Sequence, residues 1–163
     1  MKSKLSFQLF LFLILISSCQ QNRDEKIKLT NQTEEYQLIA DTIINDIMIK
    51  AAENDEWAEY SLRKLDKLKL VNEIFDLVYS EELTPYEYFS EAPLRIEEIE
   101  QLEKDPEFSR DKIAKVQFVE AWYFDPIGMK MTKRVHSIML AYEVYNNQGE
   151  IKGYKPAFKV FLK

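Results

Sequence analysis

Beyond residue 32, apolar side chains first recur at intervals of three and four residues. They follow the spacing of one helix face and comprise Tyr36, Ile39, Ala40, Ile43, Ile44, Ile47 and Ala51. Thr33 is a suitable N-cap, and two glutamates follow it in the first turn. This pattern predicts a helix over 33–51, a break at 54–56, and a second helix from Trp57 to Tyr79.

The segment 82–108 is less regular. Its motif TPYE (84–87) fits a helix start, with Pro at the first helical position. The alternative is a short extended piece that carries Tyr86, Tyr88 and Phe89. A third helix is predicted from Leu94 to Lys104, because Ile96, Ile99 and Leu102 repeat at helical spacing and Asp105-Pro106 follows.

The last third of the chain changes to a period of two, which is the period of a β-strand. Alternating apolar residues predict strands over 112–124, 131–145 and 157–162. Asp125-Pro126-Ile127-Gly128 fits a type I turn between the first two strands. The fold class that follows is α+β, with N-terminal helices packed on a small C-terminal antiparallel β-meander. A fourth strand would be added if 151–154 pairs.

The N-terminus has the pattern of an export signal. Two lysines precede the apolar run Leu9–Ile16, which is too short to span a bilayer. Ile16-Ser17-Ser18-Cys19 resembles a bacterial lipobox, although a plain signal peptide with a chance cysteine is the alternative. The chain therefore divides into a lipoprotein signal peptide (1–18), a lipidated flexible tether (19–32) and a single α+β domain (33–163). Cys19 is the predicted lipid attachment site.

The charge of the mature chain constrains its partners. Loss of the two leader lysines leaves 20 basic residues against 28 acidic ones, a net charge of −8. Such a chain is a poor nucleic-acid binder, since that affinity rests on neutralising phosphates. We expect lipid to hold it in the outer membrane. Asp24 and Glu25 lie late for a surface-export signal, which favours the periplasmic side over the cell surface.

No residue pattern points to a reaction. The chain has one histidine, His136, within a predicted strand, and its one cysteine is assigned to lipid. No metal site or cofactor beyond that lipid is expected, and we predict that the protein is not an enzyme. The alternative is a periplasmic lipoprotein that binds a small ligand or cell-wall glycan, or a carboxylate-based hydrolase, because 28 acids allow many carboxylate pairs.

Two late stretches carry a family resemblance. They are VQFVEAWYFDPIGMKMTKRVHSIMLAYEV (116–144) and NNQGEIKGYKPAFKVFL (146–162), and the upstream LVNEIFDLVYSEELTPYEYFSEAPLRIEEIEQL (70–102) adds to them. Their order and spacing resemble the type IX secretion and gliding-motility subunit N family (GldN/PorN) of Bacteroidota. The resemblance covers about 67–163, and this chain is a short, lipidated, divergent form.

The resemblance implies a non-enzymatic assembly subunit or adaptor of a type IX secretion and gliding-motility machine. Its protein partners would be the ring lipoprotein subunit K and the motor subunit M, and the chain could join a ring or homo-oligomer. The predicted partner-binding residues are Tyr86, Tyr88, Phe89, Tyr123, Asp125 and Pro126.

Overall fold

The computed structural model describes residues 36–162. Its helices are α1 (Glu56–Leu62), α2 (Lys67–Tyr79) and α3 (Ile96–Lys104), with a 3-10 turn at Arg110–Lys112. Its strands are β1 (Gln37–Met48), β2 (Pro85–Tyr86), β3 (Ile113–Asp125), β4 (Lys130–Tyr145) and β5 (Ile151–Phe161). The predicted leader, Cys19 and tether lie outside the described residues. No helix within 36–162 is long and apolar enough to cross a membrane.

The five strands form one sheet in the order β1-β3-β4-β5-β2, and every neighbouring pair is antiparallel. The predicted meander is its centre, and the predicted α+β class is confirmed. Residues 151–154 do pair, but as the first part of a continuous β5 rather than as a separate strand. The TPYE motif adopts its extended alternative as β2, which lies on the edge beside β5.

The predicted helix over 33–51 is wrong for the described part, because residues 37–48 form β1 along the other edge of the sheet. An apolar residue at every fourth position satisfies both periods, since a spacing of four is also even. Ile39, Ile43 and Ile47 have this spacing. The segment 39–49 is rich in β-branched side chains, which favour strands. Pairing with the open edge of β3 makes this segment a strand rather than a helix.

The second predicted helix is divided. The carboxylate of Asp55 accepts a hydrogen bond from the Ala58 backbone N–H at 2.9 Å and caps α1. Asp66 caps α2 in the same way at Lys69, also at 2.9 Å. An N-cap has non-helical backbone, so Asp66 ends the first helical run and begins another.

Helices α2 and α3 cover one face of the sheet, which we call the helix face. The main core lies there and combines Val71, Ile74, Phe75 and Val78 of α2 with Ile99 of α3 and with Val116, Ile138, Leu140, Tyr142, Phe158 and Val160 of the sheet. Phe75 is fully buried and meets Phe158 edge to face, with ring centroids 5.0 Å apart. The third helix was predicted correctly to within two residues.

The opposite face of the sheet is covered in its middle by the segment 86–93. The Tyr88 hydroxyl donates to the Gln117 side chain on β3 at 3.1 Å, and Lys159 on β5 forms an ion pair with Glu91 at 2.5 Å. Between them, Met139 of β4 is only 5% exposed. Residues 137–143 are all buried, so this part of β4 is covered on both faces of the sheet.

Candidate docking surfaces

Three of the predicted partner-binding residues lie in or next to the segment that crosses the sheet after β2. Tyr86 packs edge to face on Phe161, and Tyr88 on Phe89, with centroids 5.1 and 4.9 Å apart. Tyr86 and Tyr88 are half-buried, whereas Phe89 is 81% exposed. The first two side chains thus contribute to the packing of 86–93 on the sheet, and Phe89 is the one left mostly available to another molecule.

The other predicted residues lie around the β3–β4 turn, and two of them are buried. Tyr123 is 4% exposed and packs with Tyr36 and Ala121, while Asp125 is 2% exposed. The Asp125 carboxylate accepts from the Ile127 backbone N–H at 2.9 Å and so holds the turn. The expected exposure of this corner is therefore wrong for Tyr123 and Asp125. Pro126 is exposed.

The two groups do not form one site. Tyr88 is bound at Gln117, and Asp125 lies eight residues further along the same strand, a separation of about 26 Å at the usual rise. A partner that covers Phe89 would need a broad interface to reach Pro126 as well.

The edge strand β1 is a surface that the sequence prediction missed. Its inner edge pairs with β3, and its other edge has no strand beside it within the described residues. Register shifts interrupt its first half, where Thr42 has φ +56°, an unusual value for a β-branched residue. From Ile43 to Met48 the pairing is regular. The enrichment in β-branched residues was the available signal.

Exposed apolar side chains follow this regular part of β1. Ile44 is 62% exposed, and Ile47 and Met48 are 41% and 40% exposed. They point alternately to the two sheet faces, as residues of a strand must. The combination of an unpaired backbone edge and large exposed aliphatic side chains is one that most proteins avoid on a strand without a function.

Helix α1 presents a second surface that the sequence did not predict. None of its residues is buried. Trp57 and Tyr60 stack with centroids 6.1 Å apart and are 76% and 58% exposed, and the Arg63 guanidinium lies 3.7 Å from the Tyr60 ring centroid. Trp, Tyr and Arg are enriched at the centres of protein interfaces.

Two buried glutamates are each held by a lysine. Glu143 binds Lys50 at 2.5 Å and also accepts from the Tyr145 hydroxyl. Glu120 accepts from the Trp122 indole N–H at 2.7 Å and forms an ion pair with Lys133 at 3.2 Å. The first contact joins the loop after β1 to β4, and the second joins β3 to β4, so both have a structural role.

Hydrogen bonds and ion pairs stabilise the ionised form of several carboxyl groups. Burial by itself would raise the pKa of Glu120, but hydrogen bonds from Trp122, Lys133 and Asn45 together lower it. Within 36–162, every carboxyl whose pKa is clearly shifted moves downwards. A glycosidase acid needs the opposite shift.

The single histidine contributes to the sheet through its backbone carbonyl. His136 is half-buried and is the extra residue where the β3–β4 register shifts between Val119 and Glu120. Its carbonyl accepts the Leu162 N–H at 2.8 Å. No cluster of three or more potential metal-ligating His, Cys, Asp or Glu side chains occurs among the residues that the structure describes.

Neither a scan against protein-family models nor a search of curated proteins finds a match to this chain.

Proposed function

We propose that this protein is a non-enzymatic, membrane-tethered lipoprotein that works as an assembly subunit or adaptor by docking a protein partner on the edge of β1. A lipid on Cys19 would hold it in the outer membrane, on the periplasmic side. The sequence resemblance supports a place in a type IX secretion and gliding-motility machine, with subunits K and M as the partners.

The single observation that carries the docking proposal is the regular outer edge of Ile43–Met48. An extended segment of another protein can add to such an edge through main-chain hydrogen bonds, with affinity from the backbone and specificity from alternate side chains. The exposed Ile44 on one face and Ile47 on the other would each gain an apolar neighbour. Burial of such side chains yields about 25 cal/mol per Å².

The charge of β1 indicates what kind of partner strand would pair with its edge. Asp41 and Asp46 are the charged residues of this strand, and both are acidic. Asp46 already contacts Lys115 at 2.5 Å. A strand with basic and aliphatic residues in alternation would complement the edge, because opposite charges on neighbouring strands stabilise their pairing.

A second copy of this chain fits the same edge less well. Antiparallel pairing about a twofold axis at Asp46, near the middle of the regular segment, would place Asp46 of each copy directly opposite Asp46 of the other, and like charges directly opposite are destabilising. A homo-oligomer is therefore one outcome of the experiment rather than the expected one.

The test is a crosslinked pull-down from native membranes with a tagged chain. The edge variant carries Ile44→Lys and Ile47→Lys. The control carries Ile151→Lys and Tyr154→Lys on β5, where the wild-type side chains are 45% and 39% exposed. We expect subunit K or M to co-purify with wild type and control and to be lost from the edge variant.

Two results would overturn the proposal. Equal recovery of the partner by edge variant and control would remove β1 as the docking site, and recovery of neither subunit by wild type would remove the secretion machine. Cys19→Ala, assayed in parallel, tests the anchor by its release from the membrane fraction.

A further inference from the structure

The turn between β3 and β4 forms an exposed apolar tip. Ile127 is 83% exposed, Met129 79% and Met131 54%. The tip is held in shape, because the buried Asp125 carboxylate accepts the Ile127 N–H at 2.9 Å. Large aliphatic side chains are thus fixed at the extremity of the two longest strands of the sheet, where no other described part of the chain covers them.

The charge along the turn and the following strand β4 is the reverse of that of the whole protein, although the buried Asp125 and Glu120 lie beside them on β3. The mature chain is strongly acidic, yet residues 126–142 contain no Asp or Glu. The same stretch has three exposed basic residues, Lys130, Lys133 and Arg134. Lys133 also contacts Glu120 and the Trp122 ring. Lys133 and Arg134 lie four or five residues beyond Met129, about 13–17 Å along an extended strand.

The β3–β4 tip lies at the same end of the sheet as the start of β1. Gln37, the first residue of β1, pairs with Phe124 immediately before the turn. Cys19 lies seventeen residues before Tyr36, a distance that chain geometry limits to about 60 Å. A lipid on Cys19 would therefore pull this end of the sheet, and not the β4–β5 turn at the other end, towards the bilayer.

We propose that the β3–β4 tip is a lipid-binding wedge that inserts into an anionic membrane surface. Ile127 and Met129 enter the boundary between headgroups and acyl chains, and the basic residues set back from them meet lipid phosphates. Interfacial segments bury apolar residues about 5–10 Å deep, with basic residues at the headgroups. For its setting in the cell, this inference rests on the proposed lipid tether.

A lipid surface fits these observations better than a protein does. The most exposed side chains of the tip are aliphatic and thioether groups at a narrow extremity, and Trp122 and Arg134 lie behind them on β3 and β4. A protein interface usually has Trp, Tyr or Arg at its centre. The acidic body repels anionic lipid, so a locally basic tip would also orient the protein. An acidic protein surface is the alternative occupant, and the experiment separates the two.

The test places a fluorescent probe on the full chain in vesicles. Cys19→Ser removes the native thiol, and one new thiol is introduced by Ile127→Cys or, as a matched control at the opposite end of the sheet, Ile151→Cys. Met129→Cys serves as a second tip position. Each labelled protein is first compared with wild type by thermal unfolding, and the vesicles carry nitroxide-labelled lipids with or without phosphatidylglycerol.

We expect both tip probes to be quenched at least about threefold more than the Ile151 probe, with blue-shifted emission. Removing phosphatidylglycerol, or adding Arg134→Glu, should reduce the difference. Equal quenching of tip and control, or none at either, would overturn the proposal. So would a tip probe unquenched by lipid but crosslinked to a protein in native membranes. Since all variants lack Cys19, the result is independent of lipidation, which the mass of the native chain reports separately.

Discussion

The buried Glu120 allows a quantitative test of the contacts that join strands β1, β3 and β4. Its side chain is 5% exposed and joins three strands, since it lies on β3 and binds Lys133 of β4 and Asn45 of β1. The substitution Glu120→Gln keeps the shape of the side chain and removes the charge. If residues 37–48 were helical, as their spacing first suggests, the contact of Asn45 with Glu120 would be lost from this network.

The expected cost follows from the contacts. Hydrogen bonds to a charged group are worth about 1 kcal/mol more than neutral ones. Lys133 is 49% exposed, so water can replace the carboxylate there and its contribution is discounted. The donors Trp122 and Asn45 remain, and we expect Glu120→Gln to lower the free energy of unfolding by about 2 kcal/mol at neutral pH.

The same network predicts the pH dependence. The pKa of Glu120 is lower in the folded state than in the unfolded state, where it is about 4.3. The ionised side chain therefore stabilises the fold fully above that value, and this contribution is lost as the pH falls through the lower folded pKa. The difference between wild type and variant should be constant from neutral pH down to about pH 5 and shrink below about pH 4.

Urea denaturation across this pH range measures both effects. The exposed Glu97→Gln on α3 is the control, with an expected change below about 0.5 kcal/mol. A difference of the same size at every pH would show that the charge does not contribute. No difference at neutral pH would contradict the hydrogen bonds that the structure gives Glu120 with Trp122 and Asn45.

Two further substitutions test the core and the turn. Phe75→Ala removes a ring with no exposed surface that packs against two phenylalanine rings at 5.0 and 6.2 Å; we expect a loss of about 3–5 kcal/mol in urea unfolding. Leu68→Ala in the same helix, 45% exposed, should cost far less, and equal costs would contradict the placement of α2. Gly128→Ala would bring a methyl group to 2.3 Å from an Asp125 carboxylate oxygen, so thermal unfolding should show a loss of about 1–3 kcal/mol. Gly153→Ala meets nothing within 4 Å and should leave the unfolding temperature almost unchanged; similar shifts for both glycines would refute the steric argument.

The candidate docking surfaces could be predicted from the sequence only in part. The aromatic residues of 86–89 were visible in the sequence as an unusual cluster, but which of them remain exposed depends on where the segment crosses the sheet. Tyr123 appeared equally available and is buried, because Tyr36 and Ala121 pack against it. The exposure of a side chain depends on the residues that pack against it, and many of these are distant in sequence.

The sequence by itself determined the elements whose pattern matches one period alone. Strands β3 and β4 alternate, the Asp125-Pro126 turn has its own residue preferences, and α3 is followed by proline. The tertiary structure decided what local pattern left open. The fourfold spacing of Ile39, Ile43 and Ile47 suits a helix and a strand equally. The free edge of β3 selected the strand, because a helix would leave the backbone groups along that edge of β3 unpaired.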